Sequence, residues 1–162
     1  MFKIILASNS KVRKKILDEN EIECKVLPSN VDEESVKESL IKRKVTPEII
    51  SKNLAELKAN KISLKFIDNI VLGADSVIDL SGELISKPKD RDEALKILKK
   101  LNAKTHNLIS SVCISKNGSM IWNYTDKAAL TMKDLTDKQL KEYLSKITDE
   151  ALYAYIVYQI EG

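Results

Sequence analysis

The segment VLGADSVIDLSGELISKPKDRDEALKILKKL (Val71–Leu101) decides the fold, because it predicts two strands and a helix in direct succession. Its first strand is apolar apart from acids, and one of these, Asp75, lies in its centre. Ser81-Gly82 is typical of a turn between two apolar runs. The short return strand Leu84–Ile85 is followed by Pro88, which ends it. The segment therefore predicts a β-hairpin that leads into a helix.

Asp75 and Lys87 are the side chains of chemical interest in this hairpin. A charge inside a buried strand is costly unless it is paired or holds a metal ion. Lys87 follows the return strand, so the hairpin predicts a carboxylate and an ammonium near the same end of a sheet. Such a pair suits phosphate and a divalent cation: the acid holds the metal or takes a proton, and the lysine neutralises phosphate oxygen.

The first loop, Ser8-Asn9-Ser10, lies between a predicted strand, Phe2–Ala7, and a predicted helix. The free N–H groups at such a helix start bind anions, and Arg13 in the first turn adds donors suited to phosphate. The alternative interpretation is that the serines only cap the helix and that Arg13 is solvated, and it is the commoner case.

An acidic loop, Val31–Glu34, and a lysine, Lys58, each allow two interpretations. Asp32 or Glu34 can simply cap the next helix, or one of the acids reaches a metal beside Asp75. Lys58 lies within a helix that begins at Thr46-Pro47-Glu48, next to an apolar stripe of Ile49, Ile50, Leu54 and Leu57. A lysine at such a boundary usually extends to solvent, and otherwise it points into a cleft.

The second half of the chain predicts two more strands, a helix and an apolar tail. Asn117-Gly118 is typical of a hairpin turn, and we interpret Trp122 and Tyr124 beyond it as packing residues. His106 is the only histidine, which argues against a histidine metal site or a nucleophile triad. The tail, residues 150–162, is apolar and aromatic, so it must be buried in the domain or in a dimer interface.

Composition excludes several classes of protein. The length of 162 residues predicts one domain with a real core, and a formal net charge of +3 is too small to indicate nucleic-acid binding. No apolar run approaches the roughly 20 residues that a membrane span needs. Cys24 and Cys113 lie far apart without metal-ligand spacing, which predicts buried, reduced thiols and a cytoplasmic protein. Glycine-rich nucleotide motifs of the dinucleotide and P-loop kinds do not occur.

A set of motifs in fixed order carries a family resemblance over essentially the whole chain. The set consists of LASNSKVRKKIL (Leu6–Leu17), VDEE (Val31–Glu34), LAELKA (Leu54–Ala59), LGADSV (Leu72–Val77) and GELISKPKDRDEALKILKKL (Gly82–Leu101), followed by Thr105-His106. In order and spacing it resembles the Maf family of septum-formation-inhibitor-like nucleoside triphosphate pyrophosphatases. Each motif alone is weak, but the ordered set is specific.

The resemblance implies an α/β fold, with a mixed β-sheet, flanking helices and two lobes around a central cleft. It implies hydrolysis of nucleoside triphosphates, non-canonical or modified ones included, to monophosphate and diphosphate with Mg²⁺ or Mn²⁺. Members of the family are hydrolases acting on acid anhydrides, and some were first noticed through effects on cell division. Neither a membrane nor a nucleic acid is an expected partner, and the apolar tail leaves a homodimer as one possibility.

The resemblance also implies roles for particular residues. Asp75 would activate water for attack on the α-phosphate, and Glu33 would hold the metal together with Asp75. The residues that would bind the substrate are Ser8, Arg13, Lys58, Lys87, Ser76 and Glu161.

The chain departs from the family pattern at three places. Val12 stands where a base-recognising side chain is expected, and Ser76 replaces the usual threonine after Asp75. Near the end, only Tyr158–Gly162 fits the family pattern, and we expect the family's usual C-terminal segment to be missing from this single domain, 1–162. These departures keep alternatives open: a nucleotide-binding or cell-division-related interaction protein with little or no turnover, and a nucleic-acid-binding module, which only the weak positive charge favours.

Overall fold

The computed structural model describes residues 4–154 and 157–158. The helices and strands follow one another as β1 (Ile4–Leu6), α1 (Lys11–Glu19), β2 (Lys25–Val26), α2 (Glu33–Lys42), α3 (Pro47–Ser63), β3 (Ile70–Leu80), β4 (Glu83–Ile85), α4 (Arg91–Leu101), β5 (Thr105–Lys116), β6 (Ser119–Thr131), α5 (Asp137–Lys146) and α6 (Asp149–Ala154). The predicted hairpin and the helix after it are therefore confirmed as β3, β4 and α4.

The strands form one open, mixed sheet with the order β2-β1-β3-β5-β6, in which β4 pairs with β3. β1 pairs in parallel with β2 and with β3, whereas β3 and β4 are antiparallel. Both hairpin turns have two central residues with positive φ: Ser81 (52°) with Gly82 (91°), and Asn117 (52°) with Gly118 (81°). Such turns match the twist of the paired strands. The predicted mixed α/β fold is confirmed.

The chain divides into two compact units, and each has its own apolar core. The first comprises the described residues up to Ser76 together with Ile109–Lys127, and its core consists of Ile5, Ala7, Ala55, Ala59, Ile62, Val71 and Cys113. The second comprises Val77–Leu108 and the described residues from Ala128 onward, and its core includes Ile78, Leu80, Leu98, Leu101, Leu140, Leu144, Leu152 and Val157. That the whole chain forms one domain stays a prediction.

The helix starts follow the rules of capping, as the sequence predicts. A side-chain oxygen of the capping residue accepts a hydrogen bond from the backbone N–H three residues later; these residues are Ser10, Asp32, Thr46, Asp90 and Thr136. This bond satisfies one of the N–H groups that a helix start leaves unpaired. At the start of α5, Thr136 and Gln139 form a capping box, in which each side chain bonds the backbone N–H of the other residue.

The buried face of α3 differs from the predicted stripe. Ile50 and Leu54 are buried, but Ile49 and Leu57 are 47% and 42% exposed, so the assignment of these two to the stripe was wrong. The buried positions repeat at intervals of four along one face and include small and charged residues: Ser51, Ala55, Lys58, Ala59 and Ser63. Hydrophobicity alone misplaces this face because its centre is built from residues that are not large and apolar.

Gly73 lets β3 approach α3 closely. A Cβ atom at this position would lie 2.2 Å from the carbonyl oxygen of Ala55 and 2.8 Å from the amide nitrogen of Ala59. Both atoms belong to the helix backbone and cannot rotate away, so only glycine permits this contact. The strand and the helix therefore meet backbone to backbone beside Asp75.

Replacing Gly73 by alanine should destabilise the protein by about 1–3 kcal/mol, because the added methyl group forces β3 away from α3. Chemical denaturation monitored by circular dichroism measures this loss. An unchanged free energy of unfolding in Gly73→Ala would show that the close approach is not required.

The exposed strand β6 corrects another interpretation. Trp122 and Tyr124 are 49% and 57% exposed, and their rings stack on each other with centroids 6.2 Å apart. Both were interpreted as packing residues; they pack on each other, but neither is buried. They alternate along a strand at the end of the sheet order, and strand residues two apart share one face.

In the described part of the tail, Leu152 and Val157 belong to the core of the second unit, and Tyr158 packs against it. Leu152 and Val157 are almost fully buried, and the hydroxyl of Tyr158 hydrogen-bonds Nε2 of His106. Burial lowers the pKa of His106 and raises the pKa of Tyr158 to about 12.

Both cysteines are free and buried, as predicted. Among the residues described here, no helix combines the length and apolar character needed to cross a bilayer.

Candidate active site

Lys58 is the centre of a buried charge cluster in the first unit. It lies on the core face of α3, and its side chain is 7% exposed. Its ammonium nitrogen lies 2.8 Å from Oδ1 of Asp75, 2.9 Å from Oε1 of Glu33 and 3.4 Å from the carbonyl oxygen of Ala74. The ammonium group donates hydrogen bonds to Asp75 and Ala74 and forms an ion pair with Glu33. Lys58 therefore does not extend to solvent, whereas its role in binding substrate stays a prediction.

Asp75 lies on β3 with its side chain 6% exposed. Burial raises the pKa of its carboxyl group above the ordinary value, the positive charges of Lys58 and Arg13 act in the opposite direction, and the negative charge of Glu33 raises it further. Oδ1 accepts the Lys58 hydrogen bond, whereas Oδ2 is buried without a hydrogen-bond partner in the described part of the chain. Oδ2 of this carboxylate can therefore accept a hydrogen bond or a proton from a ligand.

Glu33 is the first residue of α2 and belongs to the acidic loop. Asp32 caps the helix through the amide of Ser35, so the capping role falls to Asp32 and leaves Glu33 available to reach Lys58. The Glu33 side chain is 38% exposed, in contrast to Asp75. A carboxylate at a helix N-terminus is also favoured by the helix dipole.

The first loop presents Ser8 and Arg13 as a connected pair. Nη1 of Arg13 donates to Oγ of Ser8 at 3.0 Å, and the amide of Ser10 donates to the same oxygen at 3.2 Å. Ser10 itself caps α1 through the amide of Arg13, so capping by a serine and a charge in a structured position occur together. Burial lowers the pKa of Arg13, and the charges of Asp75 and Glu33 counteract this, so the guanidinium shares their electrostatic field.

The cluster fits a divalent cation that arrives with a phosphate ligand. The carboxylates of Asp75 and Glu33 both contact the ammonium group of Lys58. The second oxygen of Asp75 is buried without a hydrogen-bond partner among the described residues. The described residues contain no group of three or more histidine, cysteine or acidic side chains that would enclose a metal alone. Magnesium is usually held by one or two carboxylates plus substrate phosphates and water, which is the donor set available here.

The remaining residues of the predicted site have different positions. The hydroxyl of Ser76 lies 3.1 Å from that of Ser110, and neighbouring residues of a strand point to opposite faces, so Ser76 does not join the Asp75 cluster. Lys87 follows β4 in the second unit and is exposed. Glu161 lies outside the described residues. Roles for these three residues stay predictions.

One contact of the cluster lies beyond what sequence reasoning found. Ser51, on α3, donates from its hydroxyl to the backbone carbonyl of Asp75 at 3.2 Å. Its spacing of seven residues from Lys58 was the available signal, since residues two helical turns apart share a face.

Replacing Lys58 by methionine should cost about 3–5 kcal/mol of stability, because it leaves the Asp75 carboxylate buried without its partner. The double variant Lys58→Met/Asp75→Asn should recover part of this loss, since the unpaired charge is then removed. Urea denaturation of wild type, both single variants and the double variant forms a complete thermodynamic cycle. Additive losses would mean that Lys58 and Asp75 do not interact.

A family model described as "Maf-like protein" matches residues 3–162. The chain is 74% identical over 159 residues to a nucleoside triphosphate pyrophosphatase of Pelagibacter ubique (strain HTCC1062), covering 98% of this chain and 82% of that protein. It is 35% identical over 158 residues to a nucleoside triphosphate pyrophosphatase of Ruegeria sp. (strain TM1040), covering 98% and 79%.

A further relative has a more specific name. The chain is 34% identical over 160 residues to a 7-methyl-GTP pyrophosphatase of Brucella abortus biovar 1 (strain 9-941), covering 99% of this chain and 80% of that protein. Among solved structures, a HAM1 protein from Coxiella burnetii aligns with a TM-score of 0.48 and 15% identity, covering 80% of this chain and 71% of that one.

Proposed function

The chain belongs to the Maf-like protein family, and on this premise we propose that it is a nucleoside triphosphate pyrophosphatase. It hydrolyses a nucleoside triphosphate to the nucleoside monophosphate and diphosphate, which makes it a hydrolase acting on acid anhydrides. The observation that carries the proposal is the contact of the buried Asp75 and Lys58 with the partly exposed Glu33, which brings together charged groups of the kinds that this reaction needs.

Asp75 acts as the general base. Its Oδ2 accepts a proton from a water molecule, whose oxygen attacks the α-phosphorus while the bond to the bridging oxygen breaks and diphosphate leaves. Burial raises the pKa of this carboxyl group, which makes it a stronger proton acceptor than an exposed aspartate. The hydrogen bond from Lys58 to Oδ1 holds the carboxylate in place and leaves Oδ2 for the proton.

Arg13, Ser8 and the free N–H groups at the start of α1 bind the phosphates. A guanidinium offers paired donors that match phosphate oxygens, and a helix N-terminus favours negative charge. The hydrogen bond from Arg13 to Ser8 orders the arginine side chain before the substrate arrives. Less conformational entropy is therefore lost on binding.

Glu33 and Asp75 would hold a magnesium or manganese ion, which when bound supplies Lewis-acid stabilisation of the charge that develops on the phosphate oxygens. Lys58 contacts the same two carboxylates and keeps them close together when no metal ion is bound. The exposed side of Glu33 lets the site open to solvent, whereas Asp75 stays buried.

The substrate class that we propose is modified or non-canonical nucleoside triphosphates. The similarity to a protein named 7-methyl-GTP pyrophosphatase supports this class, and similarity to proteins named for nucleoside triphosphates in general leaves the base open. Lys87, Ser76 and Glu161 complete the proposed set of substrate-binding residues. A cytoplasmic location agrees with two free, buried thiols, and a homodimer is the proposed assembly.

A protein that binds nucleotides without turnover is the less favoured reading. The relatives that match over nearly the whole chain bear the names of pyrophosphatases. The groups proposed for the chemistry, Asp75 and Glu33, are also present and in contact with Lys58.

Purified protein should release diphosphate from one or more members of a panel of canonical and modified nucleoside triphosphates, 7-methyl-GTP included, in the presence of Mg²⁺. Asp75→Asn should lower kcat by about 10²–10⁴-fold, since it removes the general base at nearly constant shape. Asp79→Asn is the matched control on the same strand, where the side chain accepts a hydrogen bond from the amide of Gly82. If the wild-type protein released no diphosphate from any member of the panel, the proposal would be wrong.

Glu33→Gln should raise the Mg²⁺ concentration needed for half-maximal activity by on the order of tenfold or more, because one anionic ligand is lost. The control is Glu34→Gln, its neighbour, whose 72% exposed side chain pairs with Lys37 instead. Titration of activity with Mg²⁺ after treatment with a chelator compares the two variants. Equal half-saturation in wild type and Glu33→Gln would remove Glu33 from the metal site.

A further inference from the structure

We infer that Ser51 is a positioning residue for Asp75: α3 fixes the main chain of Asp75 through Ser51 and its carboxylate through Lys58. The inference rests on the proposed function only for its effect on turnover. Two hydrogen bonds carry it, from Oγ of Ser51 to the carbonyl oxygen of Asp75 at 3.2 Å and from Nζ of Lys58 to Oδ1 of Asp75 at 2.8 Å.

The Ser51 hydroxyl is used in an unusual way for a helix interior. A serine inside a helix usually points to solvent or donates back to the carbonyl four residues earlier. Ser51 is 0% exposed and donates across to the strand instead. A buried hydroxyl is costly to leave without a partner, so this bond also accounts for how a serine is accommodated at the centre of an apolar face.

The helix spacing explains why both contacts reach the same residue. Ser51 and Lys58 are seven positions apart, which is two helical turns, so they lie on one face of α3. Between them, Ala55 contacts Gly73, the strand residue two positions before Asp75. Because a serine side chain extends only one atom beyond Cβ, it reaches the strand backbone only where helix and strand are this close.

The consequence concerns the direction of the catalytic carboxylate. A bond to the carbonyl oxygen fixes the peptide plane that follows Asp75, and the plane sets the direction of the bond from Cα to Cβ. A carboxylate held at its oxygen alone can still tilt as the strand shifts. Catalytic groups must be held to about 0.5 Å, and a displacement of about 1 Å can cost a hundredfold in rate.

Ser63 provides a matched comparison on the same helix. It is also 0% exposed, and its hydroxyl accepts a hydrogen bond from the amide of Gly118 at 3.0 Å, at the turn between β5 and β6. Ser63→Ala therefore deletes the same atom from the same helix and breaks a contact with the turn between β5 and β6 instead of a contact with β3. It separates the loss of a buried hydroxyl from the loss of support to Asp75.

Steady-state kinetics on the preferred triphosphate test the inference. Ser51→Ala should lower kcat by about tenfold and leave KM within about twofold, since substrate binding does not involve the Asp75 main chain. Ser63→Ala should lower the melting temperature to a similar degree and leave kcat unchanged. An unchanged kcat in Ser51→Ala, or an equal loss of kcat in Ser63→Ala, would overturn the positioning role.

A readout independent of turnover keeps this inference separate from the proposed function. In protein labelled with ¹³C at the aspartate carbonyls, the Asp75 resonance should move in Ser51→Ala, because a carbonyl carbon responds to loss of its hydrogen bond, and should stay in place in Ser63→Ala. An unchanged chemical shift of the Asp75 carbonyl carbon in Ser51→Ala would refute the inference. If wild type hydrolyses no triphosphate, the proposed function fails while this measurement still decides the role of Ser51.

Discussion

The close contact between Gly73 and the backbone of α3 is the constraint on which the site depends. A side chain at this position would collide with the Ala55 carbonyl, so the helix and the strand approach only because the strand has no Cβ there. The approach brings the face of α3 that carries Ser51 and Lys58 against β3 at Asp75. Backbone packing, rather than the charges themselves, thus establishes which charged groups meet.

Given this packing, the buried charges stabilise one another at a cost. Removing a carboxylate and an ammonium from water is unfavourable, and an apolar pair of similar shape would often be as stable. Asp75 and Lys58 are nevertheless both nearly fully buried, and burial raises the pKa of the aspartate. Glu33 and Arg13 add one charge of each sign at the edge of the same cluster. Perturbed carboxylates of this kind are characteristic of functional sites.

Two helix starts supply the outer parts of the cluster. Ser10 caps α1 and thereby places Arg13 in the first turn, where it bonds Ser8. Asp32 caps α2 and thereby makes Glu33 the first helical residue, within reach of Lys58. In both cases an ordinary capping residue fixes the position of a neighbour with a chemical role. Capping and function are therefore not competing interpretations of these loops.

The sequence by itself determined the hairpin of β3 and β4, the helix starts and the residue types of the site, since turns, caps and periodicity are local properties of the chain. It also singled out Asp75 and the Ser8–Arg13 loop. The tertiary structure decided the direction of Lys58, the part played by Ser51 and the exposure of Trp122 and Tyr124. These features depend on which face of α3 or β6 contacts another element. A buried face that contains serine, alanine and lysine cannot be recognised from a hydrophobic pattern in the sequence. Contact between segments distant in the chain is set by packing, which no local pattern encodes.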